Sequence, residues 1–80
     1  MKNWKVVEGK AIARIFVFRD FKEAMRFVNN VGGLAEKQDH HPDIHLFEYK
    51  KVKIVLTTHS AGSITEKDVV LAKEIDKLSA

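Results

Sequence analysis

Pro42, the only proline in the chain, closes a long helical pattern and makes the following segment start in extended backbone. Proline disfavours helical geometry at the residue before it, here His41, so a helix entering from the N-terminal side must end sooner. Upstream, Phe21, Ala24, Met25, Val28, Val31 and Ala35 recur at helical spacing and define one apolar face. Asp20 stands at the N-cap position with Glu23 three residues later, as in a capping box. The spacing predicts a helix from residue 21 to about 37 or 38. Gly32-Gly33 conflicts with it, since each glycine costs about 1 kcal/mol relative to alanine in a helix interior. The expectation is an unbroken helix whose glycines admit a closely approaching backbone.

Two pairs of β-rich runs flank this helix. Residues 4–7 lead through Glu8-Gly9-Lys10, a turn, into residues 11–18. The parity sets Ile12, Arg14, Phe16, Phe18 and Ala11, Ala13, Ile15, Val17 predict a strand buried on most of both faces. Residues 44–49 and 52–58 form a second hairpin around Lys50-Lys51, with Val52, Ile54 and Leu56 on one face. Thr65 then offers an N-cap with Asp68 at N3, and Ile64 and Val69 occupy staple positions. Leu71, Ala72, Ile75 and Leu78 continue this helix to the C-terminus. The order is β-β-α-β-β-α. It predicts an α+β domain, residues 1–80, in which a four-stranded antiparallel sheet carries its helices on one face.

With 80 residues and no cysteine, the chain has no disulfide, thiolate nucleophile, cysteine zinc site or cysteine-ligated cluster available to it. Chains below roughly 70–80 residues often rely on a disulfide, a metal or a partner subunit, which leaves oligomerisation as the main source of added stability. A 45% hydrophobic and 31% charged composition is that of a globular, soluble protein. The net charge of +3 comes from 14 Lys and Arg scattered among 11 acids, with Lys50-Lys51 the longest basic run. Such scatter argues against nucleic-acid binding. No segment approaches a secretory signal or the roughly 20 apolar residues of a membrane span, so the expected setting is cytoplasmic, away from membranes.

The chemistry concentrates in Glu36-Lys37-Gln38-Asp39-His40-His41-Pro42, between a helix end and a strand start. His59 lies just past the last strand, and antiparallel pairing around Lys50-Lys51 returns Thr58-His59 toward Pro42-Asp43. Three imidazoles can thus converge through one hairpin. Histidine exchanges protons near neutrality, and a carboxylate beside it fixes the tautomer. Glu36, Asp39 and Asp68 are candidates for that support. The set suits general acid–base catalysis, and no strong nucleophile or phosphate-binding loop accompanies it. A metal site built on His40, His41, His45 and His59 with Asp39 or Asp43 is the competing reading. Its spacing fits no standard motif, and strand alternation turns His45 away from Ile44 and Leu46, toward the surface. Trp4, Phe16, Phe18, Phe21, Phe27 and Phe47 are assigned to the core or a subunit interface, and Tyr49 to packing. Asp68 has an ordinary alternative role as helix-start charge and cap partner.

At these residues the chain resembles the pterin-4a-carbinolamine dehydratase family. Glu36, three residues, His40-His41-Pro42, six residues, Tyr49, nine residues, His59, eight residues and Asp68 match the family pattern. Lys51-Val52, Thr57-Thr58-His59 and Thr65-Glu66-Lys67-Asp68 look like the family around them, and the likeness runs from about Trp4 to the C-terminus. The N-terminal extension of longer members is missing. The resemblance implies a four-stranded antiparallel sheet with helices on one side, assembly as a homodimer or homotetramer, and no metal or redox cofactor. It implies dehydration of 4a-hydroxytetrahydropterin to quinonoid dihydropterin, with His40 and His59 as the acid–base pair. His41 would chiefly bind the pterin, Glu36 would help hold the ring, and Asp39 and Asp68 would orient the histidines. Asp43-Ile44-His45 departs from longer members, which often carry an aromatic there on the outer pocket wall. Lys50 stands where Asn is frequent in the turn. The resemblance also implies a second reading, a non-catalytic dimerisation module that regulates a partner protein, as animal members do for a transcription factor.

Overall fold

In a computed structural model, which describes residues 3–79, the helix ahead of Pro42 runs unbroken over Phe21–Gln38 (α1). Asp20 is extended and its carboxylate accepts the Glu23 N–H at 2.9 Å, the bond a cap supplies to an otherwise orphaned donor. Glu23 returns the favour one residue earlier than a capping box, accepting from the Arg19 N–H at 3.1 Å. At the other end Asp39 takes the left-handed conformation (φ 51°), and the His40 N–H reaches back to the Ala35 carbonyl at 3.1 Å. That reversal swings the two adjacent histidines out of the helix and into the loop before Pro42.

The strands are β1 (Lys5–Val7), β2 (Ala11–Val17), β3 (Asp43–Phe47) and β4 (Lys51–Leu56), and the second helix is α2 (Glu66–Leu78). They form one antiparallel sheet in the order β1-β2-β4-β3, with Arg14 opposite Ile54 on β2 and β4, and Ile44 opposite Ile54 on β3 and β4. Ile12 and Phe16 of β2 and Val52, Ile54 and Leu56 of β4 are buried on one face. Ala24, Phe27, Val31 and Ala35 of α1 and Leu71, Ala72 and Ile75 of α2 join them in a single core. Trp4 meets Phe16 edge to face and Phe16 meets Phe27 at a tilt, with ring centroids 6.2 Å and 4.7 Å apart. The α+β architecture is therefore as expected, with both helices over the same sheet face. No helix among the described residues is long and apolar enough to cross a membrane.

Several local expectations differ. The outer face of β2 is open over its second half, where Ile15 is 52% and Val17 63% exposed, because both helices lie over the other face; Ala13, on the same outer face, is buried. On α1 the core stripe is Ala24, Phe27, Val31 and Ala35, which leaves Phe21 half exposed at its flank. The close backbone expected at Gly32 and Gly33 is absent, and a Cβ at either position would meet nothing within 4 Å. β3 ends at Phe47 and the second hairpin turns through Glu48 and Tyr49, both left-handed at φ 48° and 53°. Tyr49 is thus an exposed turn residue. α2 is described to Ser79, its C-cap, and the expected continuation to Ala80 lies outside the described residues.

Candidate active site

Asp68 is completely buried at the start of α2, and three donors converge on it. His40 Nε2 lies 2.6 Å from Oδ1, while the Thr58 hydroxyl and the Thr65 N–H donate to Oδ2 at 2.7 Å and 2.9 Å. Burial alone pushes the carboxyl pKa up. The hydrogen bonds from His40, Thr65 and Thr58, with the charge of His40, outweigh it and hold the group below its ordinary value. Asp68 is therefore a carboxylate that can only accept. Nε2 of His40 must carry the proton, and Nδ1 is the atom left to gain or lose one. The cap and histidine-holding roles read separately from the sequence belong to the two oxygens of one side chain.

His41 Nε2 pairs with the Glu36 carboxylate, five residues back on the last turn of α1. Both side chains are exposed, at 57% and 78%, so this pair faces solvent whereas the His40 side chain is only 12% exposed. His59 opens a 3₁₀ turn, His59–Ala61, which ends at Gly62 in left-handed geometry (φ 65°). The turn is tied beneath by Thr58, whose N–H donates to the Ser63 carbonyl at 3.0 Å and whose carbonyl accepts the Ala61 N–H at 3.0 Å. His59 is exposed, one residue from the hydroxyl that holds Asp68. Asp39 serves as the left-handed cap of α1, and among the described residues no hydrogen bond joins its carboxylate to a histidine. His45 pairs across the sheet with Lys53 on the exposed outer face, and among the described residues no three His, Asp or Glu groups form a cage for a metal ion.

A surface cavity of about 260 Å³ opens beside His40, lined also by Gln38, Glu66, Lys67 and Val70. A larger hollow of about 480 Å³ lies between α1 and residues 14–18, at the end of β2 and just past it, away from these histidines. Chemistry rather than size favours the smaller one, since its wall includes His40, the histidine bonded to the buried Asp68. Thr58 and Thr65 complete the cluster, their hydroxyl oxygens 2.7 Å apart. Thr58 has no role in the sequence reading; the signal it carries is that it continues the Val52, Ile54, Leu56 parity, which brings a hydroxyl to the buried side where it needs a partner.

Fold and cluster define a class: a small α+β domain with a histidine–carboxylate group at the joint between its first helix, its last strand and its second helix. The comparisons make this more specific. The profile of the pterin 4 alpha carbinolamine dehydratase family matches residues 1–78, and the chain belongs to that family. A relative from Sulfurisphaera tokodaii, provisionally named a pterin-4-alpha-carbinolamine dehydratase, is 50% identical over 78 residues, covering 98% of this chain and 82% of the relative. One from Thermomicrobium roseum with the same provisional name is 49% identical over 73 residues, covering 91% and 77%. Among solved structures, a transcriptional coactivator/pterin dehydratase from Brucella melitensis superposes with a TM-score of 0.91 at 36% identity, over 99% of this chain and 84% of that one. A pterin dehydratase-like protein described as a RuBisCO assembly factor of the alpha-carboxysome shares the fold, with a TM-score of 0.81 at 21% identity, over 98% and 90%.

Proposed function

We propose that this protein dehydrates 4a-hydroxytetrahydropterin to quinonoid dihydropterin by histidine general acid–base catalysis. The C4a–oxygen bond breaks, the departing oxygen takes a proton from the acid and leaves as water, and the N5 lone pair forms the C4a=N5 bond. The base removes the N5 proton. One proton enters and one leaves, so the atoms balance without a metal or a redox cofactor. His40 and His59 are the acid–base pair. His41, held by Glu36, binds the pterin with it. The observation that carries this reading is the buried Asp68 carboxylate on His40 Nε2, which leaves Nδ1 as the working atom. Asp39 supports the pair by setting the left-handed turn from which both histidines leave the helix.

A spectroscopic dehydration assay tests it. His40→Ala and His59→Ala should each lower turnover by roughly 10²–10⁴-fold, the usual contribution of a general acid or base. Equal rates for native protein and both variants would sink the assignment. A second reading, a non-catalytic module that regulates a partner protein, is favoured by the names of the two solved relatives. Absence of turnover by the native protein selects it. Homodimer or homotetramer assembly belongs to the same proposal, supported by the apolar area that Ile15, Val17 and Phe21 expose. Its check is the molar mass in solution. A cytoplasmic location completes the reading.

A further inference from the structure

We propose that Thr58 is a positioning residue of this site: its hydroxyl fixes the Asp68 carboxylate so that the opposite oxygen stays aimed at His40. The inference rests on the dehydratase reading and extends it to a side chain that touches none of the reacting atoms.

The direction of the hydrogen bonds follows from valence. An ionised carboxylate only accepts, so Thr58 Oγ1 donates to Asp68 Oδ2. A hydroxyl has one proton, so the 2.7 Å contact between the two threonine oxygens is Thr65 donating to Thr58. With the Thr65 N–H also on Oδ2, turning the carboxylate would break two bonds there as well as the one to His40. Thr58 is itself buried, at 7% exposed, so water does not replace its hydroxyl. Its backbone N–H and carbonyl meanwhile hold both ends of the turn that begins with His59. A single residue thus ties His40, through Asp68, to the placement of His59.

Two substitutions separate this role from space filling. Thr58→Val keeps the shape and removes the hydroxyl, whereas Thr58→Ser keeps the hydroxyl and removes the methyl. With steady-state dehydration kinetics, T58V should lower kcat by roughly 10-fold with KM little changed, as expected for a lost hydrogen bond to a charged group. T58S should restore kcat. Carboxyl ¹³C NMR of the same proteins should show the Asp68 titration midpoint moved up in T58V and returned in T58S. Of the ionisable groups nearby, His40 is bonded to Asp68, Glu66 and Lys67 line the cavity, and His59 follows Thr58; neither variant alters them. Should T58V fail to fold, Thr58→Cys, with a thiol that donates weakly, takes its place. Native kcat in T58V with impaired T58S, or an unmoved Asp68 midpoint, overturns the proposal. If the native protein shows no turnover the dehydratase reading fails, and the carboxyl titration still decides whether Thr58 holds Asp68.

Discussion

His40 and Asp68, 28 residues apart in the chain, meet at 2.6 Å with the aspartate wholly buried. The other oxygen of Asp68 accepts from the Thr65 N–H at the start of α2, so the start of that helix and the tautomer of His40 depend on one carboxylate. Asp68→Asn keeps the size but must turn an amide NH₂ toward one of three donors. It should cost about 1–3 kcal/mol of stability, the penalty of an unsatisfied buried polar group. Asp68→Ala leaves the histidine without its partner and should cost about 3–5 kcal/mol. Urea unfolding measures both, and the dehydration rate of Asp68→Asn should fall by roughly 10²-fold or more as His40 loses its fixed tautomer.

Acid should weaken the same carboxylate in a defined window. The folded protein holds the Asp68 pKa below its ordinary value, so the unfolded chain takes up the proton first as the pH falls. The contribution to stability is complete above the ordinary carboxylate range, near pH 4, and is lost as pH falls through the lowered folded value. The gap in urea midpoint between native protein and Asp68→Asn should narrow as the pH falls from about 5 to below about 4. A gap that holds its full width down to about pH 2.5 would show that Asp68 is not the group responsible.

Local chemistry made much of this fold legible. Asp20 and Thr65 stand one residue before the first residues of their helices, because a short oxygen-bearing side chain there satisfies an amide that nothing else reaches. Pro42 and the left-handed Asp39 together bound α1 at Gln38. The rest depended on layers that periodicity does not describe. Ile15 and Val17 look like core residues in a β-branched run, and only the placement of both helices on the other face exposes them. The second hairpin has no glycine or asparagine at its tip, so Glu48 and Tyr49 adopt left-handed geometry at about 1–2 kcal/mol each, a cost the sheet register imposes. His40 and Asp68 stand out in the sequence as a histidine and a carboxylate, whereas the Thr58 hydroxyl beneath them shows only a parity with Val52, Ile54 and Leu56, and its role appears once its partners are known.

The Glu36–His41 pair should separate binding from stability. Both side chains face solvent, so Glu36→Gln should change unfolding free energy by no more than about 0.5 kcal/mol, in line with exposed ion pairs. If His41 and Glu36 bind the pterin, KM should rise several-fold while kcat stays close to native. A fall in kcat with unchanged KM would instead place Glu36 in the chemical step.

Gly32 and Gly33 offer a gain in stability. Both sit inside α1 with open space where a Cβ would go. Alanine at either position should stabilise by about 0.5–1 kcal/mol, through reduced freedom of the unfolded chain and better helix propensity. For a domain of this size that is an increase of roughly 2–8 °C in Tm, read by thermal circular dichroism. A loss in Tm would mean that this flank of the helix is not open in solution, as contact with a second copy of the chain would make it.

Asp76 joins the beginning of the described chain to its last helix. Its carboxylate accepts from Trp4 Nε1 at 3.0 Å and from Arg14 at 2.6 Å, and the Arg14 guanidinium lies 4.3 Å above the Phe16 ring. Trp4 is buried at 6% exposed, so its indole N–H has few other partners, while the ion pair is partly open to water and correspondingly screened. Asp76→Ala should therefore cost about 1–2 kcal/mol, most of it from the stranded indole and the loosened guanidinium. Trp4 is the only tryptophan, which makes its fluorescence a local probe. Emission should shift to the red in Asp76→Ala at temperatures where far-ultraviolet circular dichroism is still native. Asp76→Asn, which keeps an oxygen able to accept from the indole, should recover most of the native spectrum and only part of the stability. If both variants match the native protein in spectrum and Tm, Trp4 is held by its packing on Phe16 of β2, and the hydrogen bonds to Asp76 contribute nothing measurable.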